Sequence, residues 1–324
     1  MTGSKPLVVA TRKLPEATER ELSSLFHARL NASDQPMDVA TLIAAVKSAE
    51  VLVPTVTDRI TAEVIDCAGP RLRLIANFGV GFNHIDVAAA KRRNIAVSNT
   101  PGVLTDATAD VAMTLLLMVT RRALEGAKVL ESGRFTGWCP TWMMGVGLRG
   151  RKLGIVGMGR IGEAVARRSR SFGLEIHYHN RTRVPVAVEE ELSATYWPEL
   201  DAMLPAMDIV SINCPYNTST YHLFSAERLS RLNPAAFLIN TARGEIVDEA
   251  ALADALAAGR LAGAGLDVFE REPQVHLKLL GLPNAVLLPH LGSSTIEART
   301  GMGRKVIANI RAFIAGEALP DRVG

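Results

Sequence analysis

The chain has 324 residues, of which 48% are hydrophobic and 21% charged, and its formal net charge is +3. This length predicts two domains, and the composition excludes an intrinsically disordered chain. The small net charge, without any block of lysine and arginine residues, argues against a nucleic-acid-binding protein.

The cysteines are widely spaced and form no CxxC motif or Cys/His cluster: Cys67, Cys139 and Cys214. They predict reduced thiols, without a disulfide framework or a metal site. Near the start of the chain the only apolar run is 7–10, which predicts a strand and not a signal peptide. The most apolar helical segment, 107–119, contains Asp110 and is too short to span a bilayer. We therefore expect a cytoplasmic protein without a membrane role.

Short apolar, β-branched runs alternate with helical patterns along the chain, which predicts βαβ units and mainly parallel sheets. In the first third, strands are predicted at 7–10, 51–55, 72–78 and 95–98, with helices that include 16–27 and 85–93. A helical pattern without proline then runs from 106 to 130. Because it is too long for an ordinary crossover, we expect it to link two domains.

A second alternating series follows the loop at 132–150. Its strands are predicted at 152–156, 175–179, 209–213, 237–241, 263–268 and 285–288, and the segment 295–315 is predicted to be helical. Each half has about the size of one doubly wound domain. The predicted fold class is therefore α/β, with two doubly wound parallel-sheet domains.

A glycine-rich segment follows the strand predicted at 152–156 and matches GxGxxG: Gly157-Met158-Gly159-Arg160-Ile161-Gly162. Such a pattern recurs by chance, but here it lies between a strand and the helix predicted at 161–172, which makes it specific. Gly157 permits a tight turn, Gly159 lets backbone N–H groups approach a pyrophosphate, and Gly162 lets helix and strand pack closely. The helix N-terminus adds partial positive charge for the phosphates. The segment therefore predicts a dinucleotide-binding site.

The next strand ends at Asn180-Arg181-Thr182-Arg183. An NAD-specific site usually carries an aspartate or glutamate here, which bonds the ribose hydroxyl groups. Asn180 offers no carboxylate to repel a 2′-phosphate, and Arg181 and Arg183 can pair with one. We therefore expect a preference for NADP(H), with NAD(H) as a possible cofactor. The alternative is that both arginines are solvated loop residues.

Three later strands are followed by charged residues: Arg243, Glu272 and His290. In doubly wound sheets, ligands bind at the carboxyl ends of the strands. Three such residues in succession, downstream of a dinucleotide fingerprint, predict an active site.

At this point the chain resembles the D-isomer-specific 2-hydroxyacid dehydrogenase family over nearly its whole length. The resemblance rests on the segment around His290 and on Asn77-Phe78-Gly79-Val80-Gly81 and Asn99-Thr100-Pro101-Gly102. Within the family, 104–110 and 180–183 are most similar to the glyoxylate/hydroxypyruvate reductases. The resemblance implies a homodimer in which a central Rossmann domain, 102–289, is inserted into a flavodoxin-like substrate domain made of 1–101 and 290–324.

The resemblance also implies further ligand contacts. The backbone N–H groups of Val80 and Gly81 would bind the substrate carboxylate, and Asp267 would hold the nicotinamide carboxamide. The remaining cofactor contacts are expected at Thr108, Cys214, Pro215, Thr241, Ala242, Gly292 and the catalytic His290.

The three charged residues suit the reduction of a ketone by hydride transfer. His290 is the natural proton donor, because imidazole titrates near neutral pH. A nearby carboxylate at Glu272 would stabilise the protonated ring. The guanidinium of Arg243 offers a fixed fork for the substrate's carboxylate and 2-oxo oxygen.

Two other features have alternative interpretations. Trp138 and Trp142, in the loop before the nucleotide domain, either line the substrate pocket, including that of a neighbouring subunit, or pack in an interface. His177 and His179 lie two residues apart on one strand, but without a third ligand they do not predict a metal site.

We therefore expect an enzyme that reduces glyoxylate or hydroxypyruvate to the D-2-hydroxy acid with NAD(P)H. Other reductases of the family stay open, including those that act on 2-ketogluconate or phenylpyruvate and 3-phosphoglycerate dehydrogenases. Pocket volume sets that choice, and the sequence does not give it. A non-catalytic, nucleotide-sensing protein similar to the co-repressors of this family is the alternative from another class.

Overall fold

The computed structural model describes residues 5–324, and the chain divides into two compact units. The first unit contains the residues up to Leu104 together with Thr295–Gly324, and the second is Thr105–Ser294. The sequence predicts the crossings a few residues earlier, near 101 and 290. His290 lies in the second unit, where its backbone N–H donates to the carbonyl oxygen of Asp267 over 2.9 Å.

The first part of the chain alternates short strands with helices. The strands are β1 (Leu7–Ala10), β2 (His27–Arg29), β3 (Val51–Val53), β4 (Leu74–Ala76) and β5 (Ala96–Ser98). The helices are α1 (Glu16–Leu25), α2 (Val39–Ser48), α3 (Ala62–Asp66) and α4 (Val87–Arg92). Asp38 and Asp86 cap α2 and α4, because each side chain accepts a backbone N–H of the first turn.

The second unit continues this alternation. Its helices are α5 (Thr105–Thr120), α6 (Ala123–Glu131), α7 (Arg160–Ser171), α8 (Val186–Leu192), α9 (Leu200–Met203), α10 (Ala226–Ser230) and α11 (Glu249–Ala257). Its strands are β6 (Lys152–Val156), β7 (Glu175–His179), β8 (Thr195–Tyr196), β9 (Ile209–Ile212), β10 (Phe237–Asn240), β11 (Gly263–Leu266) and β12 (Ala285–Leu287). The chain then returns to the first unit with α12 (Ile296–Ala315) and β13 (Arg322–Val323).

Both sheets have the doubly wound order. In the first unit the order is β13-β5-β4-β3-β1-β2, in which only the pairing of β13 with β5 is antiparallel. In the second unit the order is β12-β11-β10-β9-β6-β7-β8, and all pairings are parallel. The predicted α/β fold class is thus confirmed. In the second sheet the strand order reverses between β6 and β9, which is where such sheets bind ligands.

The second sheet is buried on both faces. Alternate residues of one strand enter different clusters: Val156 packs with α9 to α11, and Ile155 packs with α5 and α7. Helix α5 approaches the sheet closely, since a Cβ atom on Gly265 would lie 2.8 Å from the Cβ of Leu115. The core thereby fixes the carboxyl edge of this sheet, where the predicted site residues lie.

The structure corrects the single helix predicted at 106–130. Helix α5 ends at Thr120, and Arg122 has a left-handed conformation with φ of 52° before α6 begins. The side chain of Arg122 is held there by a double hydrogen bond to Glu125, with both distances 2.8 Å. None of the helices between residues 5 and 324 has the length and apolar character that crossing a membrane requires.

Candidate active site

The GxGxxG segment turns from β6 into α7 as predicted, and its glycines meet different surroundings. Gly157 has a φ of 100°, and a Cβ atom there would lie 2.5 Å from the backbone nitrogen of Cys214. A Cβ on Gly162 would lie 2.3 Å from the carbonyl oxygen of Gly157. Gly159 has nothing within 4 Å of such an atom. The first and last glycines thus serve close packing, and the middle one leaves open space at the N-terminus of α7, which fits a dinucleotide pyrophosphate.

The segment after β7 is tied to this glycine-rich turn. Oδ1 of Asn180 accepts the backbone N–H of Met158 over 2.7 Å. The hydroxyl of Tyr196 donates to the carbonyl oxygen of Asn180 over 3.2 Å. Arg181 and Thr182, which follow, are exposed. Asn180 therefore fixes the two loops that the sequence assigns to the cofactor relative to each other.

Arg183 has a partner that the sequence pattern does not reveal. Its guanidinium makes two hydrogen bonds to the carboxylate of Glu189, of 2.8 and 2.7 Å, and lies 5.5 Å from the ring centre of Tyr196. The hydroxyl of the buried Tyr178 also donates to Glu189. Hydrogen bonds from Arg183 and Tyr178 lower the pKa of Glu189 to about 2. This arrangement holds Arg183 within the loop itself. Of the two arginines expected to pair with a 2′-phosphate, Arg181 is the one that makes no hydrogen bond to a carboxylate between residues 5 and 324.

The other predicted cofactor residues lie at the carboxyl edge of the same sheet. Cys214 is half-buried after β9, where burial raises the pKa of its thiol to about 11, and Pro215 is exposed. Thr241 is buried and Ala242 half-buried after β10, in a turn that the side chain of Asn240 holds. In α7, Arg160 is exposed and Ile161 half-buried.

Asp267 holds the loop that carries His290. Its buried carboxylate accepts the N–H groups of Leu291 and Gly292, both over 2.7 Å. The hydroxyl of Thr108, on α5, donates to the carbonyl oxygen of Gly292 over 2.9 Å. Burial raises the pKa of Asp267 above its ordinary value, although these two N–H groups and the charge of His290 act in the opposite direction. The role expected for Asp267 in binding the nicotinamide carboxamide stays a prediction.

His290 and Glu272 are brought together, as expected from their place at the sheet edge. Nδ1 of His290 lies 2.7 Å from Oε2 of Glu272, and Oε1 of Glu272 accepts the backbone N–H of Phe269 over 3.0 Å. Burial opposes ionisation of Glu272, but the hydrogen bond and charge of His290 outweigh it, and its pKa falls below the ordinary value. An ionised carboxylate only accepts hydrogen bonds, so Nδ1 carries a proton and Nε2 is left to face other partners.

Arg243 lies three residues beyond the end of β10, in extended backbone, and is half-buried. One of its terminal nitrogens donates to the carbonyl oxygen of Ala242 over 2.6 Å. Burial lowers the pKa of Arg243, while the negative charges of Glu245 and Glu272 act to raise it. The charges of Arg243 and Glu272 thus act on each other, and both residues lie in the second unit together with His290.

In the first unit, the segment that contains Val80 and Gly81 is held by Asn77 and Asn99, the first residues of the two motifs on which the family resemblance rests. The amide nitrogen of Asn77 donates to the carbonyl oxygens of Gly79 and Gly81, over 2.9 and 3.0 Å. That of Asn99 donates to the carbonyl oxygen of Val80 over 2.8 Å. Three successive carbonyl groups are thus fixed by buried or half-buried amides, which gives the turn a defined backbone conformation.

The loop with the two tryptophans is exposed. The exposed fraction is 84% for Trp138 and 43% for Trp142, and the ring of Phe135 lies 5.7 Å from that of Trp142. Helix α6, just before it, has no buried residue. Large apolar side chains of this part of the second unit are exposed on the single chain, and we call them the α6 surface: Leu130, Phe135, Trp138, Trp142 and Met144.

The two histidines of β7 pair with Trp197. Its ring nitrogen donates to Nδ1 of His177 over 3.1 Å, and Nδ1 of His179 lies 3.0 Å from its carbonyl oxygen. In the part of the chain that the structure describes, no group of three or more His, Cys, Asp or Glu residues is arranged to hold a metal ion. Each of the two rings thus has one hydrogen-bond contact with Trp197.

Comparison with known proteins identifies the family. The family model for the D-isomer specific 2-hydroxyacid dehydrogenase NAD binding domain matches residues 113–292. The chain is 44% identical to a glyoxylate reductase of Thermococcus onnurineus, over 98% of this chain and 96% of that enzyme.

Solved structures agree. A D-isomer specific 2-hydroxyacid dehydrogenase from Polaromonas sp. JS6 66 superposes with a TM-score of 0.92 at 40% identity, covering 99% of this chain and 100% of that chain. An NADPH-dependent glyoxylate/hydroxypyruvate reductase from Sinorhizobium meliloti, in complex with NADP and malonate, gives 0.89 at 37% identity, covering 99% and 97%. The chain belongs to the D-isomer-specific 2-hydroxyacid dehydrogenase family.

Proposed function

We propose that the protein reduces a small 2-oxo acid, glyoxylate or hydroxypyruvate, to the D-2-hydroxy acid with NAD(P)H. The observation that carries this proposal is the 2.7 Å contact between His290 and Glu272 at the carboxyl edge of a sheet that bears a dinucleotide fingerprint. The substrate class is supported by relatives named glyoxylate reductases, 41 to 44% identical over nearly the whole chain.

The chain's own groups account for the proton and the substrate charges. The nicotinamide ring, when bound, supplies the hydride. His290 donates a proton from Nε2 to the oxygen of the reduced carbonyl, while Glu272 holds Nδ1 and stabilises the charged ring beforehand. Arg243 binds the substrate carboxylate and polarises the 2-oxo oxygen.

We infer a preference for NADP(H), with Arg181 as the partner of the 2′-phosphate. Asn180 has no negative charge, and its oxygen is bonded to Met158, so nothing at this position repels a phosphate. Arg181 and Thr182 are exposed beside it, whereas Arg183 is bound to Glu189. An exposed guanidinium that is free to form a paired hydrogen bond suits a phosphate group.

We also infer a homodimer in which a second copy covers the α6 surface. Large apolar side chains that cluster on a surface mark association sites, and aromatic residues are enriched in such interfaces. Leu130 and Met144 are 63% and 66% exposed in the single chain, as large apolar members of the α6 surface. Trp142, the less exposed of the two, is the one that we expect to line a substrate pocket.

A substrate panel tests the reaction directly. The purified protein is mixed with NADPH or NADH and with glyoxylate, hydroxypyruvate, 2-ketogluconate or phenylpyruvate, and nicotinamide absorbance is followed; 3-phosphoglycerate is tested with the oxidised cofactors. We expect the highest kcat/KM for glyoxylate or hydroxypyruvate with NADPH. Nicotinamide binding without turnover on any acid would contradict the proposal and favour a nucleotide sensor.

A further inference from the structure

The loop 269–276 carries Glu272 and is anchored by groups that the proposed reaction does not use. Glu249, the first residue of α11, is 6% exposed. Its Oε2 accepts the N–H of Glu270 over 2.8 Å, and its Oε1 accepts that of His276 over 2.6 Å. A buried carboxylate is unfavourable unless it is hydrogen-bonded, and its bonds to N–H groups are strong. One side chain thus binds the loop on both sides of Glu272.

A second anchor reaches the same loop from the segment after β9. Nε2 of His222 lies 3.1 Å from Oε1 of Glu270. The backbone of His222 is left-handed, with φ of 47°, and its N–H donates to the carbonyl oxygen of Glu245 over 2.9 Å. A residue with a Cβ adopts this conformation at an energetic cost, so contacts must hold it there. The ring of Tyr221 stacks on His222, with centres 4.0 Å apart.

The third contact joins this loop to the segment of Arg243. A Cβ atom on Gly244 would lie 1.9 Å from the carbonyl carbon of Phe269. The backbones of these two segments therefore touch, which only glycine allows at this position. Phe269 in turn donates its N–H to Glu272. A shift of the loop would therefore move Glu272 relative to Arg243, the residue before Gly244.

We propose that Glu249 is a positioning residue for Glu272: it clamps the two ends of the loop 269–276 so that the Glu272 carboxylate stays on Nδ1 of His290, and the His222–Glu270 pair is the second clamp. The proposal rests on the proposed function. It assigns no direct contact with substrate or cofactor to Glu249. It explains why the carboxylate of Glu249 is buried against the loop that carries the carboxylate of Glu272.

The first test is Glu249→Gln in the full-length protein. A glutamine presents one oxygen and one NH2 group. Its oxygen can accept only one of the two backbone N–H groups, and its NH2 group faces the other as a second donor. Because small displacements of catalytic groups strongly lower rates, we expect kcat to fall roughly tenfold to hundredfold. The KM for NADPH should stay within about twofold, since the cofactor segments are not touched. Asp254→Asn, on the same helix at an exposed pair with Lys278, is the matched control and should keep the wild-type rate.

The decisive test repeats Glu249→Gln in a Glu272→Gln background. If Glu249 acts through Glu272, adding Glu249→Gln to the Glu272→Gln variant changes kcat by no more than about twofold. The reason is that the effects of residues that act as a unit are not additive. An equal loss of kcat in both backgrounds would overturn the proposal, as would wild-type kcat for Glu249→Gln alone. A wild-type protein without turnover would instead overturn the proposed function, so the two failures are distinct.

A second pair of variants covers the case in which Glu249→Gln does not fold, which thermal unfolding would show. Glu270→Gln keeps the backbone N–H that Glu249 binds but removes the carboxylate that His222 contacts. We expect a smaller loss of kcat, of about threefold to tenfold, that again disappears in the Glu272→Gln background. Unchanged kcat in Glu270→Gln, or a loss that persists without Glu272, would overturn the inference.

Discussion

Nδ1 of His290 lies 2.7 Å from Oε2 of Glu272, and the backbone N–H of His290 donates to the carbonyl oxygen of Asp267 over 2.9 Å. The imidazole is thus fixed through both its ring and its main chain. His290 itself has a left-handed φ of 55°. A conformation that is rare for residues other than glycine is often found where function requires a fixed orientation.

Alanine substitutions at two glycines of the GxGxxG turn should affect folding stability and cofactor binding separately. Gly162→Ala places a Cβ 2.3 Å from a backbone oxygen, and we expect a loss of about 1–3 kcal/mol in the free energy of unfolding. Gly159→Ala meets open space and should unfold like the wild type, but bind NADPH at least about tenfold more weakly because the pyrophosphate must approach there. Thermal unfolding and fluorescence titration measure the two effects. Equal stability of both variants would contradict this assignment.

Arg181→Ala and Arg183→Ala should have different consequences. If Arg181 pairs with the 2′-phosphate, its loss lowers kcat/KM for NADPH roughly tenfold to hundredfold and leaves that for NADH nearly unchanged. Arg183 is bound to Glu189, so Arg183→Ala should lower thermal stability and affect both cofactors alike. Steady-state kinetics with each cofactor distinguish the two. A selective NADPH defect in Arg183→Ala, with none in Arg181→Ala, would reverse the roles.

Low pH should lower the stability of the folded protein, because it protonates Glu189. Its pKa is lowered from 4.5 to about 2 in the folded state. The ionised carboxylate therefore contributes fully to the free energy of unfolding above pH 4.5, and this contribution is lost as the pH falls towards 2. We expect Glu189→Gln to be less stable than wild type at pH 6, with a difference that shrinks between pH 4.5 and 2. Urea unfolding across this range measures it. Glu190→Gln, exposed on the same helix, is the control, and a constant difference for Glu189→Gln would contradict the prediction.

The α6 surface should mediate self-association. Leu130 is 63% exposed in the single chain, and an aspartate there would bury a charge in the proposed interface. We expect Leu130→Asp to sediment as a monomer at a concentration at which the wild type sediments as a dimer. Val39→Asp, an exposed apolar residue of α2 in the other unit, should stay dimeric. A wild type that sediments as a monomer would contradict the inferred assembly.

Much of the fold follows from local patterns. β6 and β7 have the predicted bounds. β6 is buried after its first residue, and β7 alternates buried with less buried residues, which is the period-two pattern of a strand. β8 and β13, with two residues each, are too short to show a pattern. β2 begins at His27, where the helical pattern still extends, because its pairing with β1 is a contact between distant residues.

The sequence predicts the site residues whose chemistry can be recognised from the residue type and its place after a strand. It misses the residues that act through contacts with residues far away in the sequence. His290 and Glu272 follow strands and carry recognisable chemistry, so their meeting is foreseeable. Glu249 accepts N–H groups from residues 21 and 27 positions away, and no local spacing reveals this. A single acidic residue at a helix start reads as a favourable charge for the helix dipole, which hides its second role.

The role of His290 is tested most directly by the rate of glyoxylate reduction by His290→Ala, measured with saturating NADPH together with the dissociation constant of NADPH. We expect a kcat lowered by roughly 10² to 10⁴, with a dissociation constant within about threefold of the wild-type value. Near-normal kcat in this variant would contradict the assignment of His290 as the proton donor, and with it the proposed role of Glu272.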